Sequence, residues 1–368
     1  MPAHTDSTPT RARGRPIPTW SSLHLLTSEG EDLYTSAPGP TCWHWPDGYM
    51  CVLAGPGWGA SLLRGSPHPL AVTRDTDVQS RRPEQSFKLT RVGVTDLVKP
   101  VQVTRPSGEV TLVPTIDVFV DLPAELKGSH LSRNVEALSE AVLQNGTEPV
   151  TSLEDLAARV ARKLLERHPY ASTSQVDARA DYFLEREIYN GRRSLERYKL
   201  IARAVASRGP PVSVKKLIGV EVVGISACPC AMEGVREMLI ADHPGEERLL
   251  GSIPVMSHNQ RNVSRLMLEV PEDAEVEAND LIDLVERELS APTKELLKRE
   301  DEARLVLDAH KNPKFVEDIV RDILRSVLKR YGHLGDDTKV IVSSQSEESI
   351  HKHNAYAERV TTLGELKA

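Results

Sequence analysis

The sequence is poor in cysteine and aromatic residues, and it has no long apolar run. Its 368 residues include four cysteines, too few for a disulfide framework, so a close cysteine pair favours a metal-binding or catalytic role. No run approaches the roughly 18 to 20 apolar residues of a membrane span. The polar start MPAHTDSTPTRARGRP lacks the apolar segment of a secretory signal. We therefore expect a soluble, cytoplasmic protein that has no membrane partner.

An excess of positive charge is also missing. The formal net charge is −7 with 27% charged residues, which argues against a strongly basic nucleic-acid-binding protein. Neither GxGxxG nor GxxxxGK[ST] occurs, so the sequence supports neither a dinucleotide-binding fold nor a P-loop. We expect no nucleic-acid partner.

Residues 1–75 differ in composition from the rest of the chain. All four tryptophans lie in the first 60 residues, among proline, glycine and serine, and no period of 2 or 3.6 is sustained. We interpret this segment as an N-terminal extension that is disordered or loosely docked. The alternative is a small accessory module that uses Cys42, His44 and Cys51.

Residues 76–368 have regular patterns and form the predicted main domain. Two β-branched, alternating segments separated by RPSGE predict a hairpin, and SRNVEALSEAVLQ and SLEDLAARVARKLLERH have helical spacing, the second capped by Ser152. The segments SQVDARADYFLERE and VSVKKLIGVEVVGIS then predict strands. A β-β-α-α-β-β order therefore covers residues 87–228, and 229–360 repeats it less regularly. This pattern predicts an α+β fold with helices on one face of the sheet.

The stretch GISACPCAMEG places two cysteines where a strand passes into a helix. Pro229 favours a helix start directly after Cys228, and the positive end of the helix dipole favours a thiolate, which is the form that binds metal or attacks a substrate. Because the spacing of Cys228 and Cys230 is not that of a structural zinc knuckle, any metal needs ligands from elsewhere. The alternative is a pair of small buried cysteines.

Histidines and carboxylates supply the other candidates. His258 lies in a polar loop before a strand, and His351 and His353 share one face if their backbone is extended. Glu302 lies in LLKREDEARL. Glu317 lies near the start of a helix that we expect to be capped by Asn312, with Pro313 at its first position. Ordinary solvated residues are the alternative for the histidine pair, and dipole compensation is the alternative for Glu317.

In order along the chain, the motifs ACPC, SHNQR, LLKREDE, NPKFVEDIVRD and ESIHKHNAYAE resemble the type IB GTP cyclohydrolase family, most closely its archaeal branch. TDVQ, RVGVTDLVKPVQV and KGSHLSRNVE are similar to the same family. The resemblance covers about residues 76–360. It implies a tunnelling fold of tandem ββααββ-like units that assemble into an oligomeric barrel. The expected homo-oligomer is a dimer or tetramer with active sites at subunit interfaces.

The resemblance also implies an activity and a metal. In that activity GTP is hydrolysed at its imidazole ring, C8 leaves as formate, and a 7,8-dihydroneopterin forms. The product is either the 2′,3′-cyclic phosphate of methanopterin-type pathways or the triphosphate of folate-type pathways. Resemblance to the archaeal branch favours the cyclic phosphate. One divalent ion, Fe(II) or Zn(II) with Mn(II) also suitable, would activate water. The family set is Cys228, His258 and Glu302, whereas the archaeal branch implies His258, His351 and His353.

The remaining roles also come from the resemblance. Glu317 matches the carboxylate that anchors the purine, and His351 or His353 is expected to transfer protons where it does not bind metal, beside Cys228 as a further catalytic residue. Cationic candidates for the triphosphate are His130, Arg133, Arg261 and Lys298. Lys352 replaces the proline or asparagine found in many relatives, and on an extended backbone it would point away from the site.

Two other classes of function are compatible with these residues. Another tunnelling-fold purine or pterin enzyme, such as a pterin synthase or a nitrile reductase, would share the anchoring carboxylate but release no formate from GTP. A non-catalytic metal-stabilised scaffold would keep the ligands without an open coordination position.

Overall fold

The computed structural model describes residues 41–45, 48–53, 61–65, 77–105, 108–143 and 150–368. The chain divides into two compact units, residues 1–77 and 78–368. In the first unit, β1 (Thr41–Trp45), β2 (Gly48–Leu53) and β3 (Ser61–Gly65) form an antiparallel sheet in which Cys42 is opposite Cys51. The residue pattern predicted no strands here. The predicted disorder of residues 1–75 otherwise lies outside the described residues.

The second unit contains one large antiparallel sheet and a small hairpin. The hairpin consists of β5 (Val101–Arg105) and β6 (Gly108–Leu112). The described strands of the large sheet are β4 (Leu89–Val98), β7 (Thr115–Leu122), β8 (Thr173–Glu187), β9 (Arg193–Ser207), β10 (Ser213–Ala227), β11 (Asn259–Pro271), β12 (Ala291–Pro292), β13 (Lys339–Ser346) and β14 (Ala355–Thr362).

The described helices of this unit lie between strands, except α8, which follows β14. They are α1 (Leu131–Leu143), α2 (Leu153–Arg167), α3 (Pro229–Asp242), α4 (Glu247–Ser252), α5 (Ala278–Glu288), α6 (Arg299–Lys311), α7 (Val316–Tyr331) and α8 (Leu363–Lys367). Among the described residues, none of these helices combines the length and apolarity needed to cross a membrane.

The strand order shows a tandem repeat. From one edge to the other the sheet runs β14-β13-β11-β10-β9-β8-β7-β4, with β12 paired to β10. The first half is β4, β7, α1, α2, β8 and β9, and the second is β10, β11, α5, α7, β13 and β14. The predicted α+β class and tandem ββααββ order are therefore present in the chain.

The division between the halves differs from the predicted position near residue 228. The predicted order contains no strand at residues 193–207, and β10 therefore took the place of β9 in the first half. In the sheet β9 is the fourth strand of the first half and pairs with β10, so the repeat changes between Ser207 and Ser213. The alternating pattern of β9, with Tyr198, Leu200 and Ala202 buried, was a signal that could have identified it.

The main core lies between the sheet and the helices packed on one of its faces. On α2, Leu156, Val160 and Leu164 are buried at helical spacing, and they face strands whose inward positions include the small residues Ala178 and Ala204. Small side chains let a helix approach a sheet closely, and burial of this apolar surface contributes roughly 25 cal/mol per Å². The expected cap is confirmed, because Asp155 donates its backbone N–H to Ser152 Oγ at 3.1 Å.

The expected start of α7 is wrong. The N-cap is Phe315 rather than Asn312, and the helix begins at Val316. Asn312 instead ends α6, and its side chain donates to the carbonyl of Leu289 at 3.0 Å. Pro313 disfavours helical backbone geometry at Asn312, the residue before it. Lys314 donates its backbone N–H to Ala227 O at 3.0 Å, which connects this segment to the end of β10.

Candidate active site

A cavity of about 260 Å³ lies where β10 and β13 end and where β11 and α7 begin. Five predicted site residues line it, together with seven others. The predicted ones are Cys228, His258, Glu317, His351 and His353, and the others are Gln260, Lys314, Phe315, Val316, Ser346, Glu348 and Ala355. Residues from four separate stretches of the chain therefore converge on one space.

Strand register brings these stretches together. Ala227 pairs with Asn259, so Cys228 and His258 directly follow and precede the paired strands, and Cys228 donates its backbone N–H to His258 O at 3.1 Å. On the other side of β11, the β13 ladder continues as Glu347 donates to Arg261 O at 2.9 Å. The loop after β13 is thereby held beside the start of β11.

Three imidazole rings lie near one another at the cavity. The rings of His351 and His353 stack with centroids 5.0 Å apart at 15°, although the backbone bends here and is not the extended chain on which the expected shared face depended. His351 meets His258 edge to face, with centroids 6.2 Å apart at 90°. The pair lies in the loop between β13 and β14, and Lys352 between them is exposed and does not line the cavity.

Cys228 occupies the N-cap of α3, as the sequence predicted. Pro229 is the first residue of the helix, and the Cys228 Sγ accepts a hydrogen bond from the backbone N–H of Ala231 at 3.4 Å. Ser257 Oγ donates to the carbonyl of Cys228 at 2.6 Å, which anchors the turn. Both Cys228 and Cys230 are free thiols, with Cys230 the more exposed. The thiol of Cys228 thus lies at a helix N-terminus on the cavity wall.

Glu317 lies in the first turn of α7, exposed at the cavity beside Phe315. Phe315 is 44% exposed, which leaves an apolar ring at the opening. Lys314 also lines the cavity, but its ammonium is paired with Asp322 at 2.8 Å and Glu288 at 3.5 Å. Lys314 therefore fixes the start of α7, and its charge is already neutralised.

The remaining predicted site residues do not line this cavity. Glu302 is exposed in the first turn of α6, whereas its neighbour Asp301 is buried, paired with Arg192, and caps the helix by accepting from the Lys298 backbone N–H. Lys298 is exposed at that N-cap. Arg261 is exposed on β11, where adjacent side chains point to opposite faces, so it points away from the face of Gln260.

His130 and Arg133 belong to the first half, beside a closed polar cluster. The ring of His168 is fully buried, with Nδ1 2.9 Å from Tyr170 Oη and Nε2 2.7 Å from Asn134 Oδ1. Burial lowers the pKa of His168 to about 4, and the positive charge of Arg133 adds to this. The ring is therefore neutral at pH 7 and is structural in its contacts.

The donors at the cavity suit a divalent metal in their chemistry. A thiolate, imidazoles and a carboxylate are the ligands that zinc and ferrous iron prefer. Among the described residues, however, no group of three His, Cys, Asp or Glu side chains stands close enough together to hold an ion. The donor set fits such a metal, but binding would require these side chains to move closer together.

Gln260 and Glu348 are among the polar side chains of the cavity that the sequence motifs did not predict. Glu348 lies three residues before His351 in the same loop, with Oε2 3.5 Å from His258 Nδ1. Gln260 lies two residues after His258, and its Oε1 is 2.8 Å from the same nitrogen. The signal for Gln260 was its spacing, since residues i and i+2 of extended chain share a face.

Comparison with known proteins agrees with the motifs. Residues 76–357 match the family model described as Type I GTP cyclohydrolase folE2, and the chain belongs to that family of enzymes. It is similar to the protein named GTP cyclohydrolase MptA of Methanobrevibacter smithii, with 41% identity over 300 residues that cover 79% of this chain and 96% of that one. The Methanothermobacter thermautotrophicus protein of the same name is 42% identical, covering 79% and 94%. The resemblance inferred from the sequence is confirmed.

Solved structures are similar only at a low level. A uricase from Bacillus fastidious has a TM-score of 0.43 and 11% identity, covering 76% of this chain and 95% of that one. A uricase from Arthrobacter globiformis has a TM-score of 0.43 and 9% identity, covering 74% and 93%.

Proposed function

We propose that this enzyme is a metal-dependent GTP cyclohydrolase that releases C8 of GTP as formate and forms a 7,8-dihydroneopterin 2′,3′-cyclic phosphate. The cyclic phosphate keeps one phosphorus atom of GTP, and the other two leave as pyrophosphate. The observation that carries the proposal is the convergence of Cys228, His258, Glu317, His351 and His353 on one cavity. The relatives named GTP cyclohydrolase MptA support a role in pterin biosynthesis. The cyclic phosphate is preferred to the triphosphate because the motifs resemble the archaeal branch of the family. A cytoplasmic location stays a prediction.

The purine is proposed to bind at the start of α7. The carboxylate of Glu317 offers two acceptors to the N1–H and 2-amino donors of guanine, a pattern that adenine lacks. The exposed ring of Phe315 provides a flat apolar surface next to it. A cavity of about 260 Å³ is small beside the roughly 300 to 1,000 Å³ typical of ligand pockets, so we place the base inside and the phosphates outside.

A divalent ion, Fe(II), Zn(II) or Mn(II), would lower the pKa of water so that it attacks C8 near neutral pH. Cys228 and His258 would hold it, together with His351 or His353 or with a carboxylate. Whichever of His351 and His353 does not bind metal is placed to move protons to and from the ring nitrogens. For the carboxylate, Glu348 lines the cavity in this chain, whereas Glu302 would have to approach from α6.

The triphosphate requires cations that the cavity of one chain does not supply. Among the described residues that line it, Lys314 is the sole lysine or arginine, and its charge is neutralised by Asp322 and Glu288. We propose that a second copy of the chain brings His130 and Arg133 to the phosphates, in a homo-oligomer with interface active sites. Arg261 and Lys298 stay as exposed candidates in the same role.

The test is an anaerobic assay of the purified protein with GTP and Fe(II), Mn(II) or Zn(II) in turn. We expect formate release together with a product that becomes fluorescent as a pterin after oxidation, and mass spectrometry separates the cyclic phosphate from the triphosphate. Absence of formate with all three metals would reject the proposal and favour another purine or pterin enzyme of this architecture.

A further inference from the structure

Gln260 connects three parts of the cavity wall through one side-chain amide. Its Oε1 lies 2.8 Å from Nδ1 of His258. Its Nε2 donates to Glu348 Oε1 at 3.3 Å and to Ser226 Oγ at 3.2 Å. The start of β11, the loop after β13 and the end of β10 are therefore joined at one residue that the predicted mechanism does not use.

The direction of these hydrogen bonds determines where the histidine proton lies. An ionised carboxylate only accepts hydrogen bonds, so the amide presents its NH₂ group to Glu348 and its oxygen to His258. The nitrogen facing an amide oxygen must carry the hydrogen, which places it on Nδ1. Glu348 Oε2, 3.5 Å from the same nitrogen, is a second acceptor there. A neutral ring in this setting has its lone pair on Nε2.

A buried polar network holds Gln260 in this orientation. Ser226 Oγ is 2.5 Å from Ser346 Oγ, and Asn262 Nδ2 donates to Ser344 Oγ at 2.9 Å and to Ser346 Oγ at 3.4 Å. All four of these side chains belong to residues that are no more than 1% exposed. Satisfied polar groups inside a core restrict rotation, so the amide of Gln260 has a fixed support.

We propose that Gln260 is a positioning residue that fixes His258 as the Nδ1–H tautomer and keeps its Nε2 lone pair available to a divalent metal in the cavity. The metal part of this inference rests on the proposed function. The tautomer is a property of the metal-free protein, so it is measured without metal, substrate or turnover. Ligating histidines commonly depend on such an acceptor, and its loss costs about 10- to 100-fold in metal affinity or activity.

The first measurement is ¹⁵N NMR of the imidazoles in metal-free, histidine-labelled protein, at a pH where the rings are neutral, with His258 assigned from the spectrum of His258→Asn. We expect a protonated Nδ1 and an unprotonated Nε2 in the wild type. Gln260→Glu keeps an acceptor at Nδ1 and should keep this pattern, whereas Gln260→Met should give a mixture of both tautomers. A wild-type ring protonated on Nε2, or a Gln260→Met spectrum identical to wild type, would overturn the proposal.

The second measurement is Zn(II) affinity by competition with a chromophoric chelator. Gln260→Met should bind about 10- to 100-fold more weakly. The matched control is Gln175→Met on β8, since Gln175 also donates to a carboxylate, Asp177, at 2.7 Å but lies outside the cavity. Equal zinc affinity in wild type and Gln260→Met would remove the metal role. If Gln260→Met does not fold, the wild-type and Gln260→Glu spectra still decide the tautomer. If no formate is released from GTP, the proposed cyclohydrolase function is rejected, but the tautomer of His258 and its dependence on Gln260 are not affected.

Discussion

The two halves of the sheet share a strand and helix order but treat a histidine in opposite ways. In the first half, both ring nitrogens of His168 have hydrogen-bond partners and the ring is fully buried. In the second half, the ring of His258 lines the cavity. Among the described residues, its Nδ1 has a hydrogen-bond partner and its Nε2 has none. One topology therefore holds one histidine as a closed structural element and leaves the other open to a ligand.

The difference arises at the ends of the strands. The second half buries Ser226, Asn262 and Ser346 on β10, β11 and β13, whereas the buried side chains of β7 and β8 in the first half include Val118 and Ala178. Polar groups inside a core cost stability unless they are paired, and here they are paired with one another. The repeat supplies the scaffold, and a short polar region at one end of the second half supplies the site.

The largest effect should come from removing the open histidine. His258→Asn is expected to lower GTP turnover by more than about 100-fold, because it removes a proposed metal ligand and loss of a group that only supports a ligand already costs about 10- to 100-fold. The thermal midpoint should stay near wild type. Formate release and thermal denaturation measure the two effects. A variant that unfolds instead would support the metal-stabilised scaffold.

The closed histidine should control stability at acidic pH. Its folded pKa of about 4 lies below the 6.5 of an unperturbed histidine, so the unfolded chain takes up a proton first as the pH falls. The neutral ring of His168 therefore contributes on the order of 3 kcal/mol to the free energy of unfolding. This contribution is fully present above pH 6.5 and is lost as the pH falls towards 4. The free energy of unfolding, measured with urea between pH 7.5 and 4, should fall less steeply with decreasing pH in His168→Gln than in the wild type. His243→Gln, at an exposed histidine, is the control, and an unchanged slope in His168→Gln would refute the prediction.

The proposed purine contact should have a smaller effect. Glu317→Gln is expected to lower kcat/KM for GTP about 10- to 100-fold, since hydrogen bonds to a charged group contribute about 1.5 to 3 kcal/mol. The variant should also discriminate less between GTP and inosine triphosphate, which lacks the 2-amino group. Glu300→Gln changes an exposed acid in the first turn of α6 and serves as the control. Unchanged discrimination in Glu317→Gln would place the base elsewhere.

The choice of carboxylate should give the smallest effect. Glu348 lines the cavity and Glu302 does not, so Glu348→Gln is expected to weaken Zn(II) binding about tenfold and Glu302→Gln by less. Chelator competition on both variants decides this. The reverse order would mean that α6 moves towards the cavity when metal binds.

Much of the fold followed from local pattern, whereas parts of the site depended on register. Periodicity predicted α2, its Ser152 cap and the strand leading to Cys228, because burial on one face leaves a repeating signal. It missed β9, and it misplaced the start of α7 because the contact of Lys314 with Ala227 joins distant segments. Motif resemblance identified five cavity residues. Gln260 and Glu348 were missed because their importance comes from contacts across strands.

Among the described strands, the large sheet ends at β4 on one side and at β14 on the other, so each of these outer strands has one row of backbone groups with no described strand beside it. Such rows accept a strand from another molecule. If copies join there, unfolding becomes a reaction of several chains, and dilution alone would lower the melting temperature. Thermal data on variants are then comparable only at one protein concentration.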